Sequence, residues 1–136
     1  MARARVFELM ALKQTIELNA YRREAARLHE EIERLDKRRE QIVDLDQGYR
    51  EQLATPGLTA NEYRDITQII ARLSERTAVD LARREILETE RGRVGKILAE
   101  RKRKIERLKE EAKMVKIQER HVLEERALML IPERRK

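Results

Sequence analysis

The chain has 136 residues, enough for one domain, and 43% of them are charged, while only Phe7, Tyr21, Tyr49 and Tyr63 are aromatic. So few large apolar side chains exclude an ordinary globular core, and the excess of Ala, Glu, Lys, Leu and Arg is the composition of long helices or coiled coils. There is no cysteine, which excludes disulfides and thiolate chemistry. No apolar run approaches the roughly 20 residues needed to span a bilayer, and no signal-peptide apolar core follows Arg3 and Arg5, so the chain reads as soluble and cytoplasmic.

The first predicted element is a helix from about residue 4 to 53, on the order of 75 Å long at 1.5 Å per residue. Its marker is a seven-residue series, Tyr21, Leu28, Leu35, Ile42 and Tyr49, with a companion series Leu18, Ala25, Ile32, Arg39, Asp46 and Leu53. Together they form the apolar stripe of a coiled coil, and its regularity argues against disorder. Arg39 and Asp46 interrupt the stripe, and Leu45 is expected to take the place of Asp46. Phe7, Leu9, Met10, Leu12 and Ile16 extend the helix upstream.

Residues 54–59, Ala-Thr-Pro-Gly-Leu-Thr, hold the Pro-Gly punctuation between the two apolar runs. Pro56 disfavours helix at Thr55, and Gly57 permits positive φ. Thr59 followed by Glu62 fits a capping box that restarts a helix.

The second helix is expected over about 60–130, with 131–136 as a tail. Ile66, Ile70, Leu73 and Thr77 open its seam. Asp80, Arg84 and Arg91 weaken the middle. Leu87, Val94, Leu98, Ile105, Leu108, Ala112, Val115 and Val122 continue it, and Pro132 should end the helix near Leu130. Gly92 and Gly95 mark either a soft point or a close approach. One of the adjacent Ile69 and Ile70 is expected to be exposed, because both cannot face a narrow seam.

The whole chain is therefore predicted to be all-α, a single long two-helix antiparallel coiled-coil hairpin. If Leu53 faces roughly Ala60, Ala4 faces roughly Glu110. The last two dozen residues then overhang, leaving Leu123, Leu128, Met129, Leu130 and Ile131 uncovered, a surface suited to a partner.

Charge is uneven along the chain. Residues 1–82 carry 14 basic and 15 acidic groups, whereas residues 83–110 carry 11 and 6. Within that basic stretch, Arg101-Lys102-Arg103-Lys104 spreads around the helix. It reads as a solvated basic face, as a docking face for an acidic protein, or as a nucleic-acid patch. Neighbouring Glu100, Glu106 and Glu110 and the absence of interleaved aromatics disfavour the last. His29 and His121 lie on different helices, and the four scattered glycines make no phosphate loop, so neither a metal site nor a cofactor is expected. A two-helix hairpin also offers no enclosed site in which to tune a general acid, so no enzymatic activity is expected.

Several stretches resemble the FliJ family of flagellar type III export proteins, which is related to the stalk proteins of virulence secretion systems. These are Gly48-Tyr49-Arg50-Glu51-Gln52-Leu53, Pro56-Gly57-Leu58-Thr59, Glu62-Tyr63, Ile69-Ile70-Ala71-Arg72-Leu73, Gln118-Glu119-Arg120 and Leu123-Glu124-Glu125-Arg126-Ala127. The resemblance covers about residues 44–128 and rests on loose helical patterns. It implies a coiled coil similar to the central stalk of rotary ATPases. Such a stalk inserts its terminal end into the hexameric export ATPase and promotes ring assembly and activity. Its turn-proximal region meets a membrane export-gate protein, and it also handles export chaperones. By position, the gate face would comprise Arg38, Ile42, Leu45, Tyr49, Ile69 and Leu73, with aliphatic Leu45 and Ile69 where aromatic residues can occur. The ring-binding end would comprise Arg101, Arg103, Lys104, Lys109, Lys113, Leu123 and Leu128. The implied location is the cytoplasm, at the periphery of the inner-membrane export apparatus and without membrane insertion. No nucleic-acid partner is expected.

Overall fold

A computed structural model describes residues 2–131. It is all-α: α1 spans Ala2–Leu53 and α2 spans Ala60–Met129, packed as an antiparallel hairpin. Helix α1 begins two residues before the expected start, and α2 closes one residue before Leu130, whose N–H donates to the carbonyl of Arg126 at 3.2 Å. The proposed role of Pro132 and the tail beyond Ile131 lie outside the described residues.

The turn is built by local chemistry. The N–H of Ala54 donates to the carbonyl of Arg50 at 3.2 Å, and Thr55 N–H donates to Gln52 at 3.0 Å, closing α1. Gly57 then takes φ +92°, the left-handed region that side chains disfavour. Thr59 caps α2: its hydroxyl accepts from the Glu62 N–H at 3.2 Å, the first half of the expected capping box. Space around Gly57 is open, so the cost of a side chain there is backbone strain alone. Gly57→Ala is expected to destabilise the hairpin by about 1 kcal/mol in a urea titration. An unchanged midpoint would show that the turn finds another path.

The chain forms two compact units. One comprises residues 24–94 and contains the turn; the other joins residues 1–23 to residues 95–136. In the turn unit the buried positions are Leu28, Ile32, Leu35 and Ile42 of α1 with Ile66, Leu87 and Val94 of α2. These are the predicted heptad positions, because a repeat averaging 3.5 residues keeps one stripe of an α-helix facing its partner. Tyr49, Ile70 and Leu73 are half-buried toward the turn. Leu45 does not replace Asp46: Leu45 is exposed, and the shorter Asp46 is half-buried and accepts from Arg50 Nε at 2.8 Å. Ile69 and Ile70 are both half-buried, so neither is fully exposed; the seam edge falls between them.

The weak middle of α2 is polar because ion pairs replace apolar packing. Asp80 is 6% exposed and is the one buried charged residue among those described. Its two carboxylate oxygens face Arg38 Nε at 3.1 Å and Arg76 Nε at 3.2 Å. Arg84 Nε donates to Asp36 at 2.7 Å, and Arg83 donates to Glu31 at 3.1 Å, both across the two helices. The hydrogen bond and charge of Arg84 hold the Asp36 carboxyl below its ordinary value of 3.8, against a smaller opposing effect of burial. A carboxylate with a lowered folded pKa contributes stability above the unfolded pKa and loses it as pH falls through the folded one. Thermal stability should therefore drop as the pH falls below about 4, and Asp36→Asn should shrink that drop. An equal acid dependence in Asp36→Asn would assign the effect to other carboxylates.

In the terminal unit the buried residues are Ala4, Ala11 and Leu18 of α1 with Ile105, Ala112 and Val115 of α2. The stripe thus runs upstream through small residues, while Leu9, Met10, Leu12 and Ile16 face solvent. The relative register departs from the simple count. Arg101 pairs with Glu17, and Glu8 pairs with Lys116. Ala4 lies by Lys116, Glu119 and Leu123 rather than opposite Glu110, so α1 reaches at least one turn further along α2 than expected. Gly92 and Gly95 face open space, so no close approach requires them.

Candidate functional site

The candidate surfaces lie on different units and are described separately. Near the turn, the six gate-face residues divide by burial. Ile42 is buried in the seam, and Tyr49, Ile69 and Leu73 are half-buried at its edges. Leu45 is exposed. Arg38 is half-buried and committed to Asp80, which it meets without hydrogen-bond alignment. Only Leu45 offers a whole side chain to a partner. The exposed apolar residues that sequence reading missed here are Val43 and Tyr63. Neither belongs to the seam series, and their signal was simply that a helix with one seam should not spend apolar residues on its outer face.

Arg38 and Ile42 therefore report on folding as well as on any contact. Replacing Ile42 removes seam packing, and replacing Arg38 removes a counter-charge from Asp80. A loss of partner binding after either change is interpretable only beside a measured melt.

In the terminal unit, the ring-binding candidates also separate. Arg101 occupies a seam position, seven residues from both Val94 and Leu108. Its guanidinium pairs with Glu17, donates to Gln14 Oε1 at 2.9 Å, and lies 5.2 Å from the centroid of the Tyr21 ring. That is an internal cation–π and ion-pair anchor, which leaves Arg101 poorly placed to meet a partner. Arg103, Lys104, Lys109 and Lys113 are exposed. Glu8 is tied to Lys116, whose hydrogen bond holds the Glu8 carboxyl below the usual range.

Val122, Leu123 and Arg126 of α2 still line a groove with Arg3 of α1, and past them the end of α2 is bare. Leu123 and Leu128 are exposed, and Met129 is 85% exposed. An open groove lined by Ala4, Arg5, Glu8, Lys116, Arg120 and Leu123 leads onto this end. The uncovered stretch is shorter than the sequence count implied, because of the register difference: it keeps Leu128, Met129, Leu130 and Ile131, whereas Leu123 lies beside α1. Val122, expected to continue the seam, is half-exposed beside Arg3.

His29 Nε2 lies 3.2 Å from Glu33 one turn away. Among the described residues no three potential ligands converge on a metal position, and no helix is long and apolar enough to cross a membrane. What the arrangement offers is surface: apolar side chains and cations displayed on stiff helices.

In comparisons with known proteins, no family model matches the chain, and no curated protein or solved structure matches it significantly.

Proposed function

We propose that this chain is a stalk and coupling protein of a bacterial flagellar type III export apparatus. In this reading its terminal end binds and activates the hexameric export ATPase. Its turn region meets the membrane export-gate protein, and it also handles export chaperones. It works in the cytoplasm, at the periphery of the inner-membrane apparatus. It is not an enzyme, takes no cofactor and binds no nucleic acid. The observation that carries the reading is a helical hairpin whose second helix outruns the first and leaves Leu128 and Met129 uncovered, with exposed Leu130 and Ile131 just past its end and half-exposed Leu123 beside it. A free apolar helix end is suited to docking inside a ring. The family-like stretches at 48–53, 56–59, 118–120 and 123–127 supply the particular system. A virulence secretion system would use the same architecture.

The test is the hydrolysis rate of the same organism's export ATPase with and without this protein. Stimulation that follows hexamer formation is the expected result. Leu123→Ala with Leu128→Ala should reduce it severalfold, at the scale of about 1–3 kcal/mol for two truncated apolar contacts. Charge reversal at Arg103 and Lys104 should weaken association most at low salt; Arg101 is left intact because it anchors the hairpin. No stimulation and no co-elution would leave a coiled-coil adaptor as the better account.

A further inference from the structure

The first turns of α1 carry a second seam. The packed stripe uses Ala4, Phe7, Ala11, Gln14, Leu18 and Tyr21, at alternating three- and four-residue steps. Ala2, Val6, Leu9, Lys13, Ile16 and Ala20 repeat the same alternation on the opposite face. This outer face is exposed through the full stretch, with Ile16 at 62%. Met10 and Leu12 flank it and are also exposed. A helix that packs on one side only has no reason to carry apolar residues in coiled-coil register on the other.

The charges around this seam are cationic except Glu17, which shares the heptad position of Arg3 and is paired with Arg101. Residues 2–23 contain two carboxylates, Glu8 and Glu17, and each pairs with a cation of α2, Lys116 and Arg101. Exposed Arg3 and Arg5 lie between the outer seam and the grooves they border against α2, and exposed Lys13 sits within the outer seam. From this juxtaposition we infer that residues 2–20 of α1 form a docking face for an acidic amphipathic helix of another protein. Apolar residues of that helix pack on Val6, Leu9 and Ile16, and its carboxylates meet Arg3, Arg5 and Lys13. A second copy of this face is the wrong occupant, because it would set like charges against each other. A lipid surface fits less well, because it makes no use of the alternating register and would draw Lys13 toward hydrocarbon. The inference does not rest on the export-stalk reading, and its test contains no ATPase.

The 136-residue protein is titrated with two synthetic peptides of about three heptads that share Leu and Ile at the seam positions. One carries Glu at the flanking positions and the other Lys. The acidic peptide should bind about tenfold or more tightly than the basic one. Lys13→Glu should narrow that preference. Leu9→Gln with Ile16→Gln should weaken acidic-peptide binding about tenfold while leaving the melt of the free protein unchanged, because both side chains face away from α2. Equal affinity for the two peptides would overturn the inference, as would acidic-peptide binding indifferent to the Leu9 and Ile16 changes. So would a concentration-dependent dimer abolished by those changes, or binding to phosphatidylglycerol vesicles with no binding of the acidic peptide.

Discussion

Leu28→Ala is expected to cost about 3 kcal/mol, the largest effect of any single truncation in the turn unit. Leu28 is 1% exposed, and together with Val94 it is the most completely enclosed large side chain among the described residues. Removing three of its carbons forfeits their burial and leaves a void that two stiff helices close only in part. The estimate stays below the upper end for globular cores because a hairpin has one apolar seam and water reaches its edges. Even so, the loss is a large share of what a single seam supplies, so the urea midpoint should move far. Ile86→Ala is the control: Ile86 is 60% exposed, and its truncation should fall within about 0.5 kcal/mol of the parent. Circular dichroism reads both. Equal midpoints for the two variants would mean that the seam does not hold this unit together.

The second large effect is expected at Asp80. Arg38→Met with Arg76→Met removes both counter-charges and leaves a carboxylate that is 6% exposed. An unpaired buried charge costs about 3–5 kcal/mol in a closed core, and about 2–3 kcal/mol is expected here, because both arginines are partly exposed and solvent already screens the pairs. Adding Asp80→Leu to the double variant should restore the lost stability or exceed it, since leucine suits a seam position between Leu73 and Leu87. If the triple variant is no better than the double, the arginine stems, rather than the charges, provide the stabilisation. A polar residue within an apolar seam also restricts how the helices slide past each other. The triple variant should therefore melt at a higher temperature yet show broader cysteine cross-linking between labelled positions of the two helices.

These two sites were not equally legible. Leu28 stood out because a heptad series is a property of one helix: the period of its apolar residues decides which face is buried, whatever covers it. Asp80 was recognised as a weak seam position, but not as a paired one. Long arginine side chains reach a carboxylate from several turns, and the choice of Arg38 over Arg39 depends on where the other helix lies. Arg101 was misplaced for a similar reason. Within a run of four cations it looked like surface charge, although its seven-residue spacing from Val94 and Leu108 put it in the seam. The outer stripe of α1 was present in the sequence as alternating three- and four-residue steps, but periodicity alone does not tell which of two stripes a partner helix covers. Exposure of Leu9, Leu12 and Ile16 separates the two faces.

The one-dimensional pattern by itself determined two helices, the turn at 54–59, its glycine and its capping threonine, because those depend on neighbours within a few residues. It also determined most of the packed stripe, because a 3.5-residue repeat selects a face without reference to the partner. Only the tertiary structure decided the register between the helices. A slip of one heptad would leave each helix's own pattern intact, so that pattern cannot fix the register. From the register follow the partners of Asp80, Arg101 and Glu8 and the length of the bare end of α2. Each of these requires two helices to be placed side by side before it exists.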